Sequence, residues 1–191
     1  AMFCKCAGCV EAKKRGGKNI RTRSQAVIDN KLLIDFPSDA YMHSLYGNVP
    51  LADIHSVLLT HAHEDHLSVN DLLMRDTNKF CFDGSDGGVL TVYSSEASGE
   101  EIRRRLGSEA ALKAHGVVNK VVAPYVEYNI DGYSVFPVKA SHAFELDSYN
   151  YIVEKDGRSL LYAVDTGYFL DETWDYIEKR GKRFDTVVLE S

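Results

Sequence analysis

The chain has 191 residues, 45% hydrophobic and 26% charged, a balance that excludes a disordered or fibrous protein and suits one compact domain, 1–191, with a sizeable core. Its 28 acidic and 22 basic residues give a formal charge of -6, which leaves no footprint for broad nucleic-acid binding. No stretch reaches the roughly 18 apolar residues of a membrane span, and Ala1 to Val10 lacks a basic flank followed by an apolar run, so no membrane partner and a cytoplasmic location are expected.

In chain order, Cys4-Lys5-Cys6-Ala7-Gly8-Cys9 comes first. Three thiols this close are too tight for a disulfide framework and read as a metal clip on a loop over residues 1–19, with reactive or merely buried cysteines as the alternative. Lys13, Lys14, Arg15, Lys18, Arg21 and Arg23 follow as a solvated basic segment that could also meet a phosphate. Ser24 to Ile28 and Lys31 to Phe36 are β-rich runs joined at Asp29-Asn30 as a hairpin, and Pro37-Ser38 opens a short helix that Gly47 stops. The apolar run Ser56 to Thr60 is a strand that feeds directly into His61-Ala62-His63-Glu64-Asp65-His66.

A helix over Asn70 to Arg75 and a strand over Val89 to Tyr93 come next, then helices around Ser98 to Leu106 and Ser108 to Ala114, punctuated by Gly107 and Gly116. Val117 to Val122, Tyr125 to Ile130 and Tyr133 to Val138 read as strands, the last two joined by Asp131-Gly132. Tyr149 to Glu154 and Ser159 to Val164 form another pair around Lys155-Asp156-Gly157, and a helix from Leu170 to Lys179 and a strand from Thr186 to Leu189 close the chain. Hairpins toward both ends with helices between them predict packed sheets flanked by helices, an α+β or αββα layering.

Imidazole and carboxylate are the side chains that bind zinc, iron or manganese at neutral pH, and four of them stand within six residues at the mouth of an apolar strand. His61 and His63 alternate along an extended segment and can face one ion together, while Asp65 and His66 follow after the chain turns. His142 after Val138-Lys139-Ala140-Ser141, and Asp165 after Leu160 to Val164, occupy similar strand-end positions. Alone, the first is an ordinary histidine and the second an ordinary turn aspartate. His43, His55 and His115 stand in no motif and read as surface or packing residues.

Thr60-His61-Ala62-His63-Glu64-Asp65-His66-Leu67 resembles the His-x-His-x-Asp-His signature of the metallo-β-lactamase superfamily, and Ser141-His142 and Val164-Asp165-Thr166-Gly167 match its next two metal motifs in order. The resemblance implies an αββα sandwich with the site at one edge between the sheets. His61, His63 and His142 would hold one ion, Asp65 and His66 the second, and Asp165 would bridge both. The cysteine cluster is similar to that of the cyclic-phosphodiesterase branch related to the carbon-phosphorus lyase pathway, which carries a structural zinc there. Cys4, Cys6 and Cys9 would then supply three thiolates of a tetrahedral shell. Cys81, between Phe80 and Phe82, reads as a core residue rather than a fourth ligand.

Compared with that family, the first strand, the final metal-binding histidine, a catalytic histidine and the fourth structural-zinc ligand have no counterpart in this sequence, so a fragment of a longer protein is expected. Two zinc, manganese or iron ions about 3.5 to 4 Å apart would generate a bridging hydroxide as nucleophile, with Asp65 orienting it and accepting its proton. The expected substrate is a small or cyclic phosphodiester. Thioester or lactone hydrolysis, RNA processing served by the Arg103-Arg104-Arg105 run, and non-catalytic metal binding are the competitors. Pairing of two copies through an open sheet edge is a further expectation.

Overall fold

The computed structural model describes residues 3–75 and 88–190, so Cys81 lies outside the described residues. Helix α1 (Ala7–Arg15) leads to the hairpin of β1 (Ala26–Ile28) and β2 (Leu32–Ile34), followed by α2 (Ala40–Gly47), β3 (Ser56–Leu58) and the short α3 (Val69–Leu72). After the undescribed segment come β4 (Leu90–Ser94), α4 (Glu96–Leu106), α5 (Glu109–Ala114), β5 (Val117–Val121), β6 (Tyr128–Ile130) and β7 (Tyr133–Lys139). The chain then runs through β8 (Tyr149–Lys155), β9 (Arg158–Ala163), α6 (Asp171–Arg180) and β10 (Thr186–Leu189).

Among the described residues the strands form two five-stranded sheets, ordered β1-β2-β3-β4-β5 and β10-β9-β8-β7-β6. In the first, β2 to β5 are parallel neighbours, whereas β6 to β9 of the second form an antiparallel meander. Strands buried on both faces explain the unbroken apolar runs. Leu32, Ile34 and Leu58 pack toward Tyr133, Val135, Tyr149, Tyr151, Val153 and Tyr162 between the sheets. On the other face Leu33, Val57 and Leu59 join Val69, Leu72, Ile102 and Leu112 of the helices. A third cluster, with Phe136, Val138, Ile152, Leu161 and Ala163, packs against Trp174 and Ile177 of α6. Three apolar layers separating helix, sheet, sheet and helix are the expected αββα sandwich.

Two expectations are corrected. The loop over residues 1–19 contains α1: the Cys6 sulfur caps it by accepting from the Cys9 N–H at 3.5 Å, Glu11 pairs with Arg15 at 2.8 Å, and Gly16 at φ 63 ends it. Strand β6 starts at Tyr128 rather than Tyr125, because Tyr125 adopts φ 66 and sends its hydroxyl to Thr173 Oγ1 of α6 at 2.9 Å. That early departure leaves Pro137 facing no β6 neighbour, so its missing N–H costs the ladder nothing.

Candidate metal centre

The site begins with Asp35, directly after β2, at φ 63 and with no solvent exposure. Parallel pairing of β2 with β3 brings this carboxylate beside Thr60, whose backbone N–H donates to Oδ1 at 2.8 Å and whose hydroxyl donates to the same oxygen at 2.8 Å. His66 Nδ1 lies 2.7 Å from Asp35 Oδ2. A tight turn brings His66 back to that position, with the His66 and Leu67 amides both donating to His63 O at 3.0 and 2.8 Å. The turn is then held to β2's extension by Phe36 N to His66 O at 2.8 Å and Ser68 N to Phe36 O at 2.7 Å.

These bonds settle ring orientation. With the Thr60 hydroxyl proton committed to Asp35, Thr60 Oγ1 can only accept from His61 Nδ1, 3.1 Å away. The His61 proton therefore sits on Nδ1 and the Nε2 lone pair faces inward. Burial, followed by the neighbouring imidazoles of His66, His63 and His142, pushes the His61 pKa down to about 3, so it is a neutral donor at pH 7. Burial acts the same way on His66, but the hydrogen bond and charge of Asp35, with Asp165 and Asp65, outweigh it and push its pKa up to about 9. Burial would raise the Asp165 carboxyl, yet Glu190 and the imidazoles of His66, His61 and His142 hold it below the usual carboxylate range.

Two donor groups result, one of His61, His63 and His142 and one of His61, His66 and Asp165, with the ligand atoms of each within 4.8 Å of one another. Asp165 Oδ2 is the common point: it lies 2.8 Å from His66 Nε2 and 3.9 Å from both His61 Nε2 and His142 Nε2. His61 Nε2 and His63 Nδ1 are 3.0 Å apart. Among the described residues the buried His142 Nε2 has no hydrogen-bond partner. An orphaned buried nitrogen beside two converging imidazoles and an ionised carboxylate is the donor set that a borderline divalent cation takes, so the residues present fit a metal. The loops carrying His142 and Asp165 are knitted together by Ser141 N to Thr166 Oγ1 at 3.1 Å and Gly167 N to Ser141 O at 3.2 Å, and Asp165 itself adopts φ 51.

Five of the six expected active-site residues thus meet at the ends of β3, β7 and β9. Asp65 is exposed and stands outside both groups, lining a cleft of about 910 Å³ with Lys13, Arg21, Arg23, Asp39 and Cys9. Cys4, Cys6 and Cys9 form a third group within 4.8 Å. His43 is a packing residue, bonded at 2.8 Å to both Gln25 Oε1 and Thr22 Oγ1. Sequence reasoning missed Asp35, although Leu32-Leu33-Ile34-Asp35 repeats the pattern of an apolar strand ending on aspartate that singled out Asp165.

Residues 32–191 match the family described as the Beta-lactamase superfamily domain. No curated protein matches the chain. Among solved structures the fold is similar to zinc-bound PqqB from Methylobacterium extorquens, with a TM-score of 0.69 and 17% identity over 99% of this chain and 67% of that one. It is also similar to the metallo-β-lactamase fold protein YhfI from Bacillus subtilis, with a TM-score of 0.64 and 17% identity over 87% of this chain and 63% of that one. The short form of human tRNase Z gives a TM-score of 0.62 and 14% identity over 87% and 70%. At these identities the likeness is one of fold, while the family match covers most of the chain. This chain belongs to the beta-lactamase superfamily and has the metallo-β-lactamase fold.

Proposed function

We propose that this chain is a metal-dependent hydrolase of small or cyclic phosphodiesters, similar to the cyclic-phosphodiesterase branch that its cysteine cluster resembles. The observation that carries the metal dependence is the pair of donor groups sharing His61 and converging on Asp165 Oδ2. His61, His63 and His142 would hold one zinc, manganese or iron ion and His66 the second, with Asp165 common to the two donor groups, and Asp65 would join His66 by turning from the cleft toward it. Ions bound there supply Lewis acidity toward the scissile phosphate and an acidified water.

The chain's own residues do the rest. Asp35 and Thr60 fix the His66 and His61 rings. Asp65, as proton acceptor, has a carboxylate exposed to the cleft in which Lys13 and Arg21 gather and Arg23 is paired with Asp39 at 3.0 Å, so that Lys13 and Arg21 are the cations offered to an anionic substrate. Arg103, Arg104 and Arg105, the run behind the alternative of an RNA-processing enzyme, each pair with carboxylates of the chain.

Cys4, Cys6 and Cys9 are proposed to clip a structural zinc. Hydrogen bonds from the Cys9 backbone and the neighbouring thiols hold the Cys6 pKa at about 7, which favours the thiolate that a metal requires. Hydrolysis of bis(p-nitrophenyl) phosphate in added manganese or zinc, compared with Asp65→Ala and Asp165→Asn, tests the enzyme. Turnover that needs metal and falls at least about 100-fold in both variants is expected. A wild-type protein that binds metal but is inert to phosphodiesters while cleaving thioesters or lactones would overturn the substrate class.

A further inference from the structure

We propose that Arg105 is a positioning residue for the metal centre, locking the backbone between His61 and His63 so that both imidazoles face one ion; this rests on the reading of those histidines as ligands. The run Arg103-Arg104-Arg105 ends α4, and its three guanidinium groups have different fates. Arg103 Nη2 pairs with Glu96 Oε1 at 3.0 Å, and Arg104 grips Glu101; both are surface pairs of the kind that contribute little. Arg105 turns inward, with 21% of its side chain exposed.

Each of the three guanidinium nitrogens donates one bond. Nε donates to Glu101 Oε1 at 2.8 Å, Nη1 to Glu64 Oε1 at 2.8 Å, and Nη2 to the Ala62 carbonyl at 2.9 Å. Ala62 is buried, and its carbonyl belongs to the peptide that leads into His63. Fixing that peptide plane fixes the direction of the His63 side chain, whereas His61 is already held by Thr60. A planar fork with several donors can hold two carboxylates and a carbonyl at once, and an ammonium cannot reproduce that geometry.

The helix that presents Arg105 is itself anchored at its other end to the second half of the site. Ser95 Oγ and Ser98 Oγ both donate to the Leu146 carbonyl, at 2.7 and 3.1 Å, in the turn that follows His142. Helix α4, seated in the core through Ile102, is therefore one strut between the loop of His61 and His63 and the loop of His142. The rings those loops carry meet with centroids 4.8 and 5.3 Å apart.

The test is Co(II) titration of the full chain, read at the visible bands of the histidine site, with cysteine ligation separated by its near-ultraviolet charge-transfer absorption. Arg105→Gln is expected to weaken Co(II) binding about 10- to 100-fold and to alter the visible spectrum, as loss of an outer-shell partner does. Arg104→Gln, which removes an equally close pair to Glu101 but no loop contact, is expected to leave affinity and spectrum unchanged. Arg105→Lys guards against misfolding: with a circular dichroism spectrum and metal-free Tm like wild type, it should still bind Co(II) more weakly. Wild-type affinity in Arg105→Lys, or equal loss in Arg104→Gln, would reduce Arg105 to a surface charge and overturn the proposal. A wild-type chain that binds no Co(II) at its histidines would overturn the ligand reading, and the role of Arg105 with it, through a separate arm of the experiment.

Discussion

At the scale of single residues, the centre depends most on Asp35, which no solvent reaches and which bonds the backbone and hydroxyl of Thr60 and the ring of His66. A carboxylate buried at this depth is tolerable only because charged and polar donors surround it. Asp35→Asn keeps the shape but replaces an acceptor for His66 Nδ1–H with an amide that can present its own N–H there. Metal affinity, measured by competition with a chromophoric chelator, is expected to drop about 10- to 100-fold. Unchanged affinity would mean that His66 is held by its turn alone.

At the scale of elements, α4 matters more than its length suggests. Ser95 caps it, accepting from the Ser98 N–H at 3.2 Å while donating to Leu146 O at 2.7 Å, and Gly107 at φ 80 ends it. Ser95→Ala removes both bonds and is expected to lower stability by about 1–2 kcal/mol, read as a shift in the urea midpoint with an unchanged slope. The hairpins are elements of another kind, each written in two residues. Asp29-Asn30, Asp131-Gly132 and Asp156-Gly157 all adopt positive φ at both positions, the conformation that aspartate, asparagine and glycine accept most readily.

For the molecule as a whole, the second sheet is tied to its covering helix by a charged seam. Glu154 of β8 accepts from Arg180 Nη2 at 2.6 Å and Lys182 Nζ at 3.0 Å, and Arg180 also lies 3.8 Å over the Phe136 ring. Burial alone would raise the Glu154 carboxyl, but Arg180 and Lys182 hold it below its ordinary value of 4.5. A depressed folded pKa contributes stability above the ordinary value and loses it as pH falls through the folded one. Glu154→Gln is therefore expected to cost about 1–2 kcal/mol at pH 7. The gap from wild type should narrow as denaturant unfolding is repeated at pH values falling progressively below the ordinary 4.5; a gap independent of pH would assign the loss to shape instead of charge.

Features whose causes are local could be read from the order of the residues. Alternation, apolar runs and two-residue turns wrote most strands and the αββα layering, and His61, His63 and His66 were legible because six consecutive residues carried them together with Asp65, which stands outside both donor groups. Local signals reached less far at α1, where a sulfur cap and one glycine made a helix of what read as a loop, and at Tyr125, drawn out of β6 by Thr173 across the chain. Packing of distant segments places Asp35 beside Thr60 and His66, closes His142 and Asp165 on His61, and turns one arginine of three inward to Ala62. The physical reason is the same in each case. Turns and strand periodicity are fixed by the sterics of neighbouring residues, whereas a buried donor or charge finds its partner only when separate strands and helices pack and water has been removed.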